Sequence, residues 1–121
     1  MQPFKKDGGP IMAEVTAGQA QVGSYDLKLW EANRNEIVQR WEGDFLNPDD
    51  DKYPLPQPNE ANHKRRIQAV VVITLVPPID KYSTNLIITQ DGRELDKISQ
   101  TGQTSNIGVR CARDVRAAVA P

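Results

Sequence analysis

The chain has 121 residues and a formal net charge of −1, and 38% of its residues are hydrophobic while 26% are charged. This length and composition favour one soluble folded domain over a disordered chain. The near-neutral charge excludes the strongly basic footprint of a general nucleic-acid-binding protein. The single cysteine, Cys111, excludes an internal disulfide framework. Because the sequence has no apolar run of roughly 18 residues and no secretory signal, we expect no membrane span and favour a cytoplasmic location, with a mature or leaderless exported protein as the alternative.

The N-terminal stretch carries turn-forming residues and no evident hydrophobic period. Residues 1–19 include Gly8-Gly9-Pro10, which is typical of a flexible segment. We therefore interpret 1–19 as a flexible N-terminal arm and assign the folded domain to residues 20–121.

A first β-hairpin is predicted from two runs of residues on either side of a turn. In residues 22–30, apolar and polar side chains alternate with the period of two that marks a half-buried strand. Trp30 breaks this alternation, so we expect it to face the polar side or to begin a turn. Asn33-Arg34-Asn35 supplies turn chemistry because asparagine tolerates a positive φ. The second strand then occupies residues 36–42.

Residues 43–64 predict a long Pro-rich crossover loop. Asn47 to Asp50 fits a type I turn, and Tyr53 to Pro58 holds a proline at every second position. Prolines deny backbone donors, so a central strand is impossible there and an extended, polyproline-like path is expected. Because so long a loop is unusual in a compact domain, it is functional, disordered, or conceals an element.

Four further segments complete the predicted strands. Residues 66–76 are rich in Val and Ile and read as the central strand, because β-branched side chains favour strands over helices. Residues 82–90 and 93–99 flank Asp91-Gly92, a dipeptide that suits a type I′ hairpin turn. The spacing of Leu95 and Ile98 breaks alternation and predicts a bulge or early fraying of the strand. Residues 104–112 form a last strand, followed by a short helix or loose tail to Ala120.

These six strands, with no amphipathic helix between them, predict an all-β fold. The architecture is a small antiparallel β-sandwich, immunoglobulin-like or C2-like, with six to seven strands, or else a small barrel. If the apolar strand at 82–90 lay at a sheet edge, it would pair with another chain or need a second sheet to cover it.

Candidate binding residues come from the aromatic and basic positions. Exposed Trp and Tyr side chains stack on ligands or partner side chains, whereas buried ones belong to the core. Trp30, out of phase with its strand, is the stronger recognition candidate, while Trp41 is more readily a core residue. Arginines before the central strand suit an anionic contact or a solvated surface. The candidate binding residues are Trp30, Trp41, Tyr53, Arg65 and Arg66.

The acidic loop 44–51 is the candidate metal site. Asp49, Asp50 and Asp51 are dense in the carboxylate oxygens that calcium prefers, and calcium is the one cofactor the sequence suggests. The alternating ligand spacing of a known calcium loop is absent, and a solvated turn is the competing interpretation.

Few residues in the sequence support a catalytic function. Cys111 and His63 are the only Cys–His combination available to activate a thiol. Cys111 lies on the same predicted strand face as the apolar residues Ile107 and Val109, which indicates a buried and inert thiol.

We therefore expect a non-enzymatic β-sandwich module that acts by surface recognition of a protein partner or by self-association. The first alternative is a calcium-dependent module that binds a ligand or a membrane surface through loop 44–51, and the second is a small thiol hydrolase.

Overall fold

The structure is a computed structural model, and it describes residues 2–17, 22–44, 51–74, 81–103 and 106–114. These residues form eight strands and one short 3-10 helix, Asn59–Asn62. The strands are β1 (Ile11–Ala17), β2 (Val22–Trp30), β3 (Ile37–Asp44), β4 (Asp51–Pro54), β5 (Arg66–Thr74), β6 (Lys81–Gln90), β7 (Arg93–Gln103) and β8 (Asn106–Asp114). In the described part of the chain, no helix is long and apolar enough to cross a membrane.

The strands make two antiparallel sheets of four strands each. The first sheet has the order β4-β1-β6-β7, and the second has the order β3-β2-β5-β8. One hydrophobic cluster takes its side chains from both sheets, which confirms the predicted β-sandwich. The order differs from that of an immunoglobulin constant domain, where the first two strands share a sheet.

All six predicted strands are present as β2, β3, β5, β6, β7 and β8. At the β6–β7 turn, Asp91 and Gly92 have φ values of 53° and 77°, as a type I′ turn requires. In β7, Leu95 is an extra residue between the Ile88–Asp96 and Thr89–Glu94 pairs, so the predicted bulge is confirmed. Strand β5 lies between β2 and β8, in the central position expected of it.

The interpretation of residues 1–19 as a flexible arm is wrong. Strand β1 lies inside the first sheet, between β4 and β6, and buries Ile11, Ala13 and Val15. Those three positions alternate with Met12, Glu14 and Thr16, a period of two that the neighbouring glycines obscured. Phe4, upstream of the strand, is only 1% exposed and completes one end of the core.

The position of β1 also removes one argument for self-association. Strand β6 is covered on one side by β1 and on the other by β7, so it is an interior strand. The apolar residues at 82–90 therefore do not form an open sheet edge.

The Pro-rich segment conceals two elements rather than forming one long loop. Strand β4 pairs with β1 at the edge of the first sheet, and its last residue is Pro54. An edge strand tolerates a terminal proline because no ladder hydrogen bond is lost there. Residues 57 and 58 form a bend, so the expected polyproline-like path does not continue through Pro58, although Pro58 itself has φ −78° and ψ 159°; the 3-10 helix follows it. The turn predicted at Asn47 to Asp50 lies outside the described residues.

The expected helix or tail after residue 112 is partly corrected. Strand β8 continues to Asp114, where it pairs with Arg66 of β5. Residues 115–121 lie outside the described part of the chain.

Because neighbouring strands are antiparallel, several connections lie at the same end of the sandwich. This end holds residues 2–10, the turn 31–36, the connection 55–65 and the turn 91–92. Residues 18–21, 45–50, 75–80 and 104–105 lie outside the described part of the chain.

Candidate binding surface

The five predicted binding residues fall into three separate places. Trp30 and Arg66 meet on the outer face of the second sheet, Trp41 and Tyr53 meet between the two sheets, and Arg65 takes part in an ion pair. The sequence therefore did not predict that these five residues occupy three different environments.

Trp30 is held at the outer face by two neighbours from β5. The Arg66 guanidinium lies 5.8 Å from the centre of the Trp30 ring, within the range of a cation–π contact. The indole N–H of Trp30 donates to Gln68 Oε1 at 3.1 Å. Strand register produces this grouping, because Trp30 lies opposite Arg66 on one side and opposite Ile37 on the other. The expectation that Trp30 faces the polar side of its strand is confirmed.

An exposed aliphatic side chain lies beside this pair. Ile37 is 43% exposed and is the only exposed large hydrophobic residue among those whose burial is described. Arg66 Nη2 donates to the carbonyl of Arg34 at 2.9 Å, while its buried Nε has no partner among the described residues. We call Trp30, Ile37 and Arg66 together the Trp30 patch.

Trp41 and Tyr53 close the gap between two edge strands. Trp41 belongs to β3 at the edge of the second sheet, and Tyr53 belongs to β4 at the edge of the first. Their rings stack with centroids 5.5 Å apart, and the Tyr53 hydroxyl is hydrogen-bonded to the hydroxyl of buried Tyr25. Gly43 is required beside them, because a Cβ atom there would collide with the Tyr25 ring. Both half-buried rings pack against the core, which gives them a structural role.

Arg65 joins two connections at the same end of the sandwich. Its Nε and Nη2 donate to the two carboxylate oxygens of Glu31, both at 3.1 Å, and its Nη1 donates to Asn62 Oδ1 at 3.0 Å. These hydrogen bonds, together with one from the backbone of Ala32, lower the pKa of the Glu31 carboxyl. Arg65 thus ties the β2–β3 turn to the 3-10 helix.

A charged cluster occupies the middle of the outer face. Arg40 donates to both oxygens of Asp26 at 2.9 Å and also contacts Glu42 at 2.7 Å, while Lys28 lies 3.5 Å from Asp26. The hydrogen bonds from Arg40 are the main reason that the pKa of Asp26 is lowered, against the opposing effect of burial. The same pairing raises the pKa of Arg40. Nearly every charge in this cluster is balanced internally.

Sequence reasoning missed a buried amide network, formed by Asn59 and Gln90, that holds the N-terminal segment. The Asn59 side chain donates to the carbonyls of Gly8 at 3.1 Å and Gly9 at 3.0 Å. Gln90 both accepts from the Lys5 N–H and donates to the Lys5 carbonyl, each at 2.7 Å. A signal was available, because Gln90 continues the inward phase of Leu86 and Ile88 at the end of β6.

The calcium hypothesis rests on residues that the structure describes only in part. Asp49 and Asp50 lie outside the described residues, and Asp51 begins β4 opposite Val15 in the strand register. No cluster of three potential metal ligands occurs in the described ranges. The acidic loop therefore stays a prediction.

The two residues of the thiol hypothesis are separated along β5. Cys111 lies opposite Ala69, inside the strand, whereas His63 precedes the first strand residue, Arg66. At about 3.3 Å per residue, Ala69 is already about 10 Å beyond Arg66. Strand register therefore gives no support to a Cys–His pair.

No protein-family model matches this chain, and no curated protein or solved structure is significantly similar to it. Among the described surfaces, the Trp30 patch combines an anchored aromatic ring, a cation and an exposed aliphatic side chain. These features make it the candidate functional site.

Proposed function

We propose that this protein is a non-enzymatic recognition module that binds a protein partner through the Trp30 patch. The observation that carries the proposal is the Arg66 guanidinium over the Trp30 ring, next to the exposed side chain of Ile37. Trp and Arg dominate binding energies at protein interfaces, because they combine a large apolar area with directed polar contacts. Trp30 is also fixed before binding, which reduces the entropy lost when a partner docks.

The chemistry of the patch specifies the partner segment. A guanidinium selects a carboxylate, and the exposed Ile37 selects an aliphatic or aromatic side chain beside that carboxylate. The partner is therefore a protein segment in which an acidic residue neighbours an apolar one. A polyanion such as nucleic acid fits less well, because Arg66 is the one cation in the patch and the whole chain carries a net charge of −1.

A random peptide library displayed on phage tests this proposal directly. Selection on the wild-type protein should enrich peptides that place Asp or Glu next to an apolar residue. Changing Arg66→Gln removes the cation and should weaken binding of a selected peptide by roughly tenfold or more, the size of a charge-assisted hydrogen bond. Changing Ile37→Glu should abolish binding, because it places a carboxylate against the acidic peptide.

Arg93→Gln is the matched control, since Arg93 is an exposed arginine on the other sheet. That variant should bind the selected peptide like the wild type. Circular dichroism and urea unfolding should show that all three variants remain folded. The proposal fails if selection enriches no acidic peptide, or if the enriched peptides bind the Arg66→Gln and Ile37→Glu variants unchanged.

A further inference from the structure

Strand β3 lies at the edge of the second sheet. Among the described residues, no strand pairs with its outer side. It is eight residues long and carries a strict pattern at its centre, with Arg40 and Glu42 on the outer face and Trp41 between them on the inner face. An open strand of this length presents unpaired backbone donors and acceptors, which another strand can satisfy.

A second copy of the same strand fits this edge. Two identical antiparallel strands are related by a twofold axis normal to the sheet, so each residue lies opposite a residue of the same face. When the axis passes beside Trp41, Arg40 of each copy lies opposite Glu42 of the other. Opposite charges in directly facing positions stabilise a strand pair. We infer that β3 pairs with β3 of a second copy and joins the two second sheets into one continuous sheet in a symmetric dimer.

Each neighbouring register of β3 sets one pair of like charges face to face at the axis, although the register centred on Glu42 also places Arg40 opposite Asp44. An axis beside Arg40 brings two guanidinium groups together, and an axis beside Glu42 brings two carboxylates together. The register centred on Trp41 therefore pairs most of the strand and sets only opposite charges at its centre. We expect the two copies to adopt this register.

The other long edge strand with described side chains is β7, and its charged residues lie on both sides of the bulge at Leu95. The bulge interrupts the edge that β7 offers to a second strand. In β3, by contrast, Arg40, Trp41 and Glu42 pair with β2 in an unbroken register. This regularity favours β3 over β7 as the dimer edge.

The aromatic pair between the sheets supports the same arrangement. Trp41 is half-buried and stacks on Tyr53 from the first sheet. Across the twofold axis, the two Trp41 side chains become neighbours on the inner face. The exposed part of each ring is then covered by the other copy, which adds apolar burial to the backbone and charge pairing.

Charge reversal tests the register. Sedimentation of the wild-type chain over a range of concentrations should show a reversible dimer. The Arg40→Glu chain and the Glu42→Arg chain should each dissociate roughly tenfold or more easily, because each sets two pairs of like charges across the axis. An equimolar mixture of those two chains should form a mixed dimer, since their charges are complementary. The mixture separates lost pairing from simple misfolding.

Lys97→Glu on β7 is the control, and it should leave the dimer unchanged. The inference is overturned if the wild type sediments as a monomer throughout, if the mixture fails to associate, or if Lys97→Glu disrupts the dimer equally. The substituted residues Arg40 and Glu42 lie outside the Trp30 patch, so loss of peptide binding and loss of dimerisation are separable results.

Discussion

Two polar networks lie on this sandwich, and they differ in access to water. At the end of the molecule, the side chains of Asn59 and Gln90 hold backbone carbonyls of the N-terminal segment while only 2% and 4% exposed. On the outer face of the second sheet, Arg40 and Glu42 form an ion pair with side chains 52% and 66% exposed. Water competes for the second network and is excluded from the first.

The difference in access decides what each network does. A buried amide that loses its partner leaves a desolvated polar group, so the end network fixes the chain path and tolerates little change. An exposed ion pair contributes little to folding because water and salt screen it. Its charges are therefore available to be re-paired by a partner strand at low cost.

The largest effect on stability is expected at Phe4, a core side chain in the N-terminal segment that the buried amide network holds. Phe4→Ala empties a site that is 1% exposed at the end of the core, and we expect it to lower the free energy of unfolding by about 3–5 kcal/mol. Urea unfolding followed by circular dichroism measures the change. Ile37→Ala, at an exposed apolar position, is the control and should change stability by less than about 0.5 kcal/mol. Equal losses in the two variants would show that residues 2–10 are not part of the core.

The buried amide itself should come next in size. Asn59→Ala removes the side-chain donor to the Gly8 carbonyl and leaves the Gly9 carbonyl with Gln90 alone, and we expect a loss of about 1–3 kcal/mol in the free energy of unfolding. Hydrogen exchange of the backbone amides at residues 5–9 should accelerate in the same variant. Asn35→Ala removes an exposed asparagine from the β2–β3 turn and should be close to neutral. A neutral Asn59→Ala would contradict the structural role of the network.

The sequence predicts those parts of the fold that depend on neighbours in the chain. Both hairpins follow from alternation and from turn residues such as Asp91-Gly92, which are local signals. Strand β4 depends on pairing with β1, far away in sequence, and four residues ending in Pro54 carry little signal of their own. Once β1 is assigned to an arm, β4 has no partner, so the two errors have one cause.

The candidate site shows the same division between local and long-range information. The phase of β2 predicts that Trp30 faces outward, because side-chain direction follows from position in the strand. The sequence does not predict that Arg66 covers the Trp30 ring while Arg65 turns to Glu31. That assignment depends on the register between β2 and β5, which tertiary pairing sets.

A smaller effect is expected at the turn that binds the N-terminal segment. Gly92 has a φ of +77°, and the space around it is open, so a side chain there costs only backbone strain. Gly92→Ala should lower the free energy of unfolding by about 1 kcal/mol, because an alanine Cβ disfavours the left-handed region. Gly92→Asn, which tolerates that region better, should cost less when both are measured by urea unfolding. A reversed order would show that the turn changes type on substitution.

The exposed network should give the smallest effect, and pH distinguishes it from the buried one. Asp26→Asn removes the carboxylate that Arg40 and Lys28 share, and we expect a loss below about 1 kcal/mol at neutral pH. Because these partners lower the pKa of Asp26 in the folded state, its contribution is complete above the ordinary carboxyl pKa of about 3.9. That contribution is lost as the pH falls through the lowered value.

The stability difference between wild type and Asp26→Asn should therefore shrink in acid, whereas the Asn59→Ala loss should stay constant because an amide does not titrate there. Added salt should likewise reduce only the Asp26 effect. If the Asp26 difference persisted unchanged at low pH and high salt, the outer-face pairs would be packing contacts. Their charges would then be unavailable for exchange with a second copy.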